Sequence, residues 1–102
     1  MSREFFDFDG PDDALIRTER AKARALRKTR WWQQKTASGK CHFCGEKVKF
    51  KDLTMDHLLP LSRGGRSTKD NIVPCCKSCN SRKKSMLPLE WEAYLENSAK
   101  ET

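Results

Sequence analysis

The chain has 102 residues, 36% hydrophobic and 34% charged, with a formal net charge of +7 and a mean hydropathy of −0.85. These values exclude a large apolar core and any run long enough to span a membrane, leaving one small domain whose core needs a staple such as a bound metal. The cationic excess suits a polyanionic partner, because each lysine or arginine set against a phosphate releases condensed counterions.

Residues 1–13 read as an acidic, aromatic arm with Glu4, Asp7, Asp9, Asp12 and Asp13 beside Phe5, Phe6 and Phe8. Its phenylalanines are suited to docking on the domain and its acids to masking part of a basic surface. Gly10-Pro11 separates the arm from the next segment, for which Asp12 or Asp13 is a good N-cap. From Ala14 to about Gln34 the chain is alanine-rich and free of Gly and Pro, which predicts one continuous helix. At about 100° per residue, Ala14, Thr18, Ala21, Ala25 and Trp32 fall on a stripe flanked by Leu15 and Leu26, expected to face the protein. Arg17, Arg20, Arg24 and Arg27 line another side with Trp31, a face suited to a phosphate backbone. Glu19 is the one acid against eight basic residues from 14 to 39. Residues 14–39 are therefore expected to be a basic helix and a linker, Thr36-Ala37-Ser38-Gly39.

Cys41 and Cys44 are spaced so that both sulfurs reach one ion from a tight turn, and Cys76 and Cys79 repeat the spacing after 31 intervening residues. The two pairs predict one tetrahedral structural zinc site. His42 is a bystander beside four suitably placed thiols, and Cys75 is a spare thiol. An odd cysteine count with paired spacings and no signal-like apolar run points to a reducing, cytoplasmic setting. Lys47 to Phe50 alternates and reads as a short strand, Thr54 to Leu58 as another stopped by Pro60. A turn-rich loop with Gly64-Gly65 and with Arg63, a candidate DNA contact, leads to Ile72-Val73, the expected partner strand. A helix from Cys76 to about Met86 and a final helix to about Asn97, with Trp91 and Leu95 on one face, complete the chain.

His57 beside Asp56 has the makings of a general base next to a metal ion, since imidazole is substantially neutral near pH 7. Asn80 offers a second hard oxygen donor, and Asp56 with Asn80 suits magnesium or manganese rather than zinc. Adjacent strand residues point to opposite faces, so Asp56 and His57 can share a site only where the strand ends or distorts.

Asp56-His57 with Pro60, Gly64-Gly65, Asn71, and Cys76-Lys77-Ser78-Cys79-Asn80 through Lys83 stand in an order that resembles the HNH endonuclease family, over roughly residues 40–86. The resemblance implies an α+β fold, a small zinc-stabilised ββα-metal core here extended by the N-terminal basic helix and a C-terminal helix and tail over 87–102. It implies hydrolysis of DNA phosphodiester bonds to 5′-phosphate and 3′-hydroxyl ends. The partner would be double-stranded DNA, with His57 as base, Asp56 and Asn80 holding the catalytic divalent ion, Asn71 orienting the histidine and Lys83 near a phosphate. Many members carry histidine where Asn80 stands, so the chain looks like a His-Asn-Asn variant, and many carry glycine where Lys84 stands. A single centre in one monomer would nick one strand, and without a second DNA-reading module sequence specificity is expected to be low. Two other readings remain open from sequence: a non-catalytic zinc-ribbon nucleic-acid binder, and a protein-interaction zinc module.

Overall fold

A computed structural model describes residues 11–101, with side chains to Ser98; most of the acidic aromatic arm lies outside the described residues. Helix α1 spans Asp13–Arg27, and its N-cap is Asp12, whose Oδ1 accepts the Leu15 amide at 2.8 Å. The predicted continuous helix is in fact two. Lys28 and Thr29 turn their amides back onto Ala25 and Leu26, and Thr29 then caps α2, Arg30–Lys35, by accepting from the Trp32 amide. A hydroxyl able to serve both as the end of one helix and the cap of the next outweighs the helical propensity around it.

The inward face of α1 also differs from the expected stripe. Ala14, Thr18, Ala21 and Ala25 are exposed, whereas Glu19 and Ala23 are buried and Leu15, Ile16 and Leu26 are half-buried. Alanine offers little apolar area, so the larger side chains and the bonds of Glu19 decide which face docks. Arg17, Arg20, Arg24 and Arg27 form an exposed row beside that face. Trp31 does not project freely with them: it is half-buried, with the Lys35 and Lys69 ammonium groups each 5.9 Å from its ring.

The segment expected to be a strand at Lys47 to Phe50 makes one bridge, Lys40 to Lys47, and then coils into a 3₁₀ turn at Phe50–Asp52. No neighbouring strand lies beside it among the described residues, and Phe50 is left 66% exposed. Strand β1, Leu53–His57, pairs antiparallel with β2, Ile72–Cys76, in a register that sets Asp56 opposite Val73 and His57 opposite Ile72. β2 is buried throughout. The long loop between them closes tightly at Gly65, where an added Cβ would stand 1.7 Å from the Leu59 carbonyl oxygen. Only glycine fits there.

Helix α3, Lys77–Lys83, follows β2 directly, capped by the Cys76 sulfur, which accepts the Cys79 amide at 3.4 Å. It stops at Lys84, whose φ of 49° and ψ of −121° lie in a region that favours glycine, three residues short of the predicted end. Helix α4, Pro88–Glu101, buries Trp91 against the cysteine cluster. The Trp91 indole meets Phe43 edge-on at 5.7 Å and stacks on Tyr94 at 5.5 Å. Tyr94, not the exposed Leu95, shares its inward face. The fold is α+β: a two-stranded sheet, a short helix and a cysteine cluster form the centre, with helices on either side. Among the described residues no helix is long and apolar enough to cross a membrane.

Candidate active site

The ligand atoms of Cys41, Cys44, Cys76 and Cys79 all lie within 4.8 Å of one another, a spacing that fits one tetrahedral zinc ion. Local backbone makes this cage. Phe43 donates its amide to the Cys41 sulfur at 3.3 Å, Gly45 closes the turn onto the Cys41 carbonyl, and His42 donates its amide to Pro74, tying the knuckle to β2. Burial works against a Cys41 thiolate, but amides of Cys44, Cys76 and Phe43 outweigh it and bring the thiol down to about 7. Burial, with neighbouring thiols, pushes Cys79 up to about 12 and also raises Cys44. Thiolates converging this closely repel one another, which is the electrostatic case for a divalent ion among them. Cys75 packs beside the cage but is not one of its four converging thiols: buried, its thiol pushed up by burial, it donates to the Cys76 carbonyl at 3.3 Å.

The helix after β2, α3, packs against β1 next to the four-cysteine cage. Strand alternation puts Thr54 and Asp56 on the side covered by α3, and Asn80 and Lys83, three residues apart, form the helix face that meets them. Asn80 Nδ2 donates to Thr54 Oγ1 at 3.2 Å, and Thr54 Oγ1 donates to the Cys75 carbonyl at 2.8 Å. The Lys83 ammonium lies 3.2 Å from Asp56 Oδ2. It also donates to the carbonyls of His57 at 3.4 Å and Met86 at 3.2 Å.

Lys83 is 0% exposed, so the phosphate contact expected of it is not open to it in this geometry: its charge is spent inside, on Asp56. Asp56 Oδ2 is buried yet accepts no hydrogen bond, since the ammonium stands near without the alignment a bond requires. Asp56 Oδ2, without a hydrogen bond though 3.2 Å from the Lys83 ammonium, and Asn80, hydrogen-bonded to Thr54 on the same strand face, are oxygen donors of the kind that suit a small hard cation.

His57, the last residue of β1, points the other way. Its Nε2 is 3.0 Å from Ser67 Oγ. The strand does not distort to bring it round to the Asp56 side, because its pairing with Ile72 holds to the end. The carboxylate and the imidazole therefore border the end of β1 from opposite faces. Burial lowers the His57 pKa, Lys83 adds to this, and the nearby charges of Asp56 and Glu19 only partly offset it, so the ring is neutral at pH 7. Ser67 Oγ donates its one proton to the Glu19 main-chain carbonyl, which obliges Nε2 to carry the ring hydrogen and leaves the lone pair on Nδ1.

Asn71 clamps the loop with four bonds. Its Oδ1 accepts from the Leu59 amide at 2.8 Å, Nδ2 donates to Leu59 and Arg66 carbonyls, and its own carbonyl accepts from Leu58. Arg63 is held by Glu90 of α4 at 2.8 Å, an exposed pair that ties up the guanidinium. Arg82 lies 3.5 Å from the Cys79 sulfur and over Trp91. A cleft of about 220 Å³ at the Leu53 end of β1, lined by Arg27, Trp32, Thr36, Phe50 and Lys51, does not include His57, Asp56 or Asn80.

Sequence reading missed Ser67 and the part played by Glu19. The Glu19 signal was present: the one acid between Ala14 and Gly39, one residue off the arginine row, is well placed to point inward. Nothing in the sequence around Ser67 distinguishes it from other loop serines.

Two comparisons agree with this architecture. The family model described as HNH endonuclease matches residues 41–95, from the first cysteine of the cage to Leu95 in α4. A CRISPR-associated endonuclease Cas9 from Corynebacterium diphtheriae is 36% identical over 44 residues, 42% of this chain. The chain spans only 4% of the length of that relative. With the cysteine cage, the hairpin and the helix that follows it all falling inside the matched region, the chain belongs to the HNH endonuclease family.

Proposed function

We propose that this protein is a metal-dependent nuclease that hydrolyses phosphodiester bonds of DNA, nicking one strand per event with little sequence preference. The observation that carries the reading is the buried, unbonded Oδ2 of Asp56 on the face shared with Asn80, at the end of the strand that presents a neutral His57. Family membership supports nuclease chemistry, and the exposed Arg17, Arg20, Arg24 and Arg27 row supports a polyanionic substrate.

In this mechanism a phosphodiester lies across the end of β1, where it can meet both faces. His57 Nδ1 takes a proton from the attacking water as the new P–O bond forms. The bond to the 3′ oxygen breaks, and that oxygen is protonated from solvent, leaving 5′-phosphate and 3′-hydroxyl ends. Asp56 and Asn80 would hold a divalent ion, magnesium or manganese, which would supply positive charge to offset the charge that develops in the reaction. Lys83 holds the Asp56 carboxylate in place, while an ion on the four cysteines would fix the helix carrying Asn80. Substrate contact by the arginine row is a matter of backbone charge and carries no base readout.

Incubating the zinc-loaded protein with supercoiled plasmid tests the proposal. Relaxed circles should form with Mg2+ or Mn2+ and not in chelator, and His57→Ala should remove the activity while keeping the fold. Intact plasmid with every metal, or equal nicking by the variant, would transfer the protein to the zinc-ribbon nucleic-acid binders.

A further inference from the structure

The family match begins at residue 41, yet α1, wholly outside it, reaches the histidine. Glu19 is 2% exposed on the inward face of α1. Its Oε1 accepts the Ser67 amide at 2.6 Å, and its main-chain carbonyl accepts the Ser67 hydroxyl. On its other oxygen, Lys22 stands at 3.2 Å and Arg66 at 3.5 Å. These two cations compensate a carboxylate that would otherwise be costly to bury. Ser67 is 7% exposed and its Oγ is 3.0 Å from His57 Nε2. One residue of α1 thus grips Ser67 at two atoms, and Ser67 grips the ring.

We propose that Glu19 is a positioning residue for the active site: by holding Ser67 at both its amide and its hydroxyl, it makes Ser67 Oγ an obligate acceptor and fixes His57 with its proton on Nε2 and its lone pair on Nδ1. The inference rests on the reading of His57 as general base, but its geometric part does not depend on turnover. It makes α1 part of the catalytic apparatus as well as a basic face. A hydroxyl free to rotate could instead donate to Nε2, which would put the proton on Nδ1 and leave that nitrogen without a lone pair to accept one. The Glu19 carbonyl takes that proton and forbids the rotation. Only a helix docked in this register offers a carbonyl and a carboxylate to the same serine.

The test uses the full chain, zinc-loaded and labelled with 15N in its two histidines, with His42→Gln to assign the signals. Long-range 1H–15N spectra of the wild type should show the His57 proton on Nε2, in slow exchange with water. Ser67→Ala, which removes the acceptor itself, should lose the slowly exchanging Nε2 proton and lower kcat for plasmid nicking about 10- to 100-fold, the range common for groups that orient a functional side chain, with KM within about twofold; Glu19→Ala, which keeps the main-chain carbonyl but frees the Ser67 amide, should speed exchange of that proton and lower kcat by a smaller factor. Glu19→Gln keeps an oxygen for the Ser67 amide and the same main-chain carbonyl, and should retain both signal and kcat. A His57 proton on Nδ1 in the wild type overturns the inference, as does a Glu19→Ala protein that keeps the ring signal and kcat. Circular dichroism and zinc content establish folding; if Glu19→Ala fails these, Ser67→Ala carries the test, and unchanged spectra and kcat there overturn the inference equally. A wild type with the Nε2 proton in place and no nicking under any metal would defeat the nuclease reading alone.

Discussion

Replacing Lys83 by methionine removes the ammonium beside Asp56 at nearly constant volume. Lys83 is fully buried and the Asp56 side chain is 13% exposed, so the carboxylate would lose its partner with little water to take its place. Breaking one side of a buried pair costs about 3–5 kcal/mol, against a total stability of about 5–15 kcal/mol for a domain of this kind. The variant also loses the bonds that join the end of α3 to the His57 and Met86 carbonyls. Urea unfolding of the zinc-loaded protein reads this directly, with a thermal midpoint lower by at least about 12 °C as the companion measure. Adding Asp56→Asn should restore most of the loss, because the stranded charge has gone. If the seat beside Asp56 accepts a divalent cation, Mn2+ at about 100 times its Kd should return about 2.7 kcal/mol to Lys83→Met. A Lys83→Met protein within about 0.5 kcal/mol of wild type would refute the claim that this pair is buried and coupled.

Further expectations concern pH, zinc and the helix end. Because burial depresses the His57 pKa, the unfolded chain binds the extra proton first, so stability is full above about pH 6.5 and falls as pH drops below it. Nicking should likewise be flat at neutral pH and decline through a pKa below the ordinary histidine value, which a kcat–pH profile measures. Chelating zinc at pH 7 should collapse the knuckle and α3 together, seen as loss of helical circular dichroism and of the cooperative transition, since four converging thiols are the principal tie between them. Lys84→Gly should raise the thermal midpoint by a few degrees, as strain of about 1–3 kcal/mol at its positive φ exceeds the entropy that glycine costs.

How much of the fold and site could be seen in the sequence depended on the range of the interaction. Cys41, Cys44, Cys76 and Cys79 were legible because ligand spacing is set by local backbone geometry, and the same holds for the strand before Pro60 and the helix after Cys76. Lys83 was read on the correct helix face, three residues from Asn80, but that face turns inward where α3 packs on β1, and the expected phosphate contact becomes a buried ion pair. The break at Thr29 had a local signal, a capping hydroxyl ahead of Trp32, that the surrounding alanines and arginines obscured. The Glu19–Ser67 contact spans 48 residues and depends on how α1 docks, which the alanine stripe misjudged because alanines carry too little surface to direct a helix. The strand expected at Lys47 to Phe50 alternates in sequence but finds only the single bridge of Lys47 to Lys40 among the described residues.

The nuclease reading depends most on Asp56 and Asn80 seating a divalent ion at the same strand end that presents the His57 ring. Paramagnetic broadening by Mn2+ measures this on the zinc-loaded protein: the Asn80 side-chain amide and the His57 ring signals should broaden first, and Asp56→Ala should abolish the effect. Broadening centred on surface carboxylates elsewhere, with Asn80 and His57 left sharp, would contradict it.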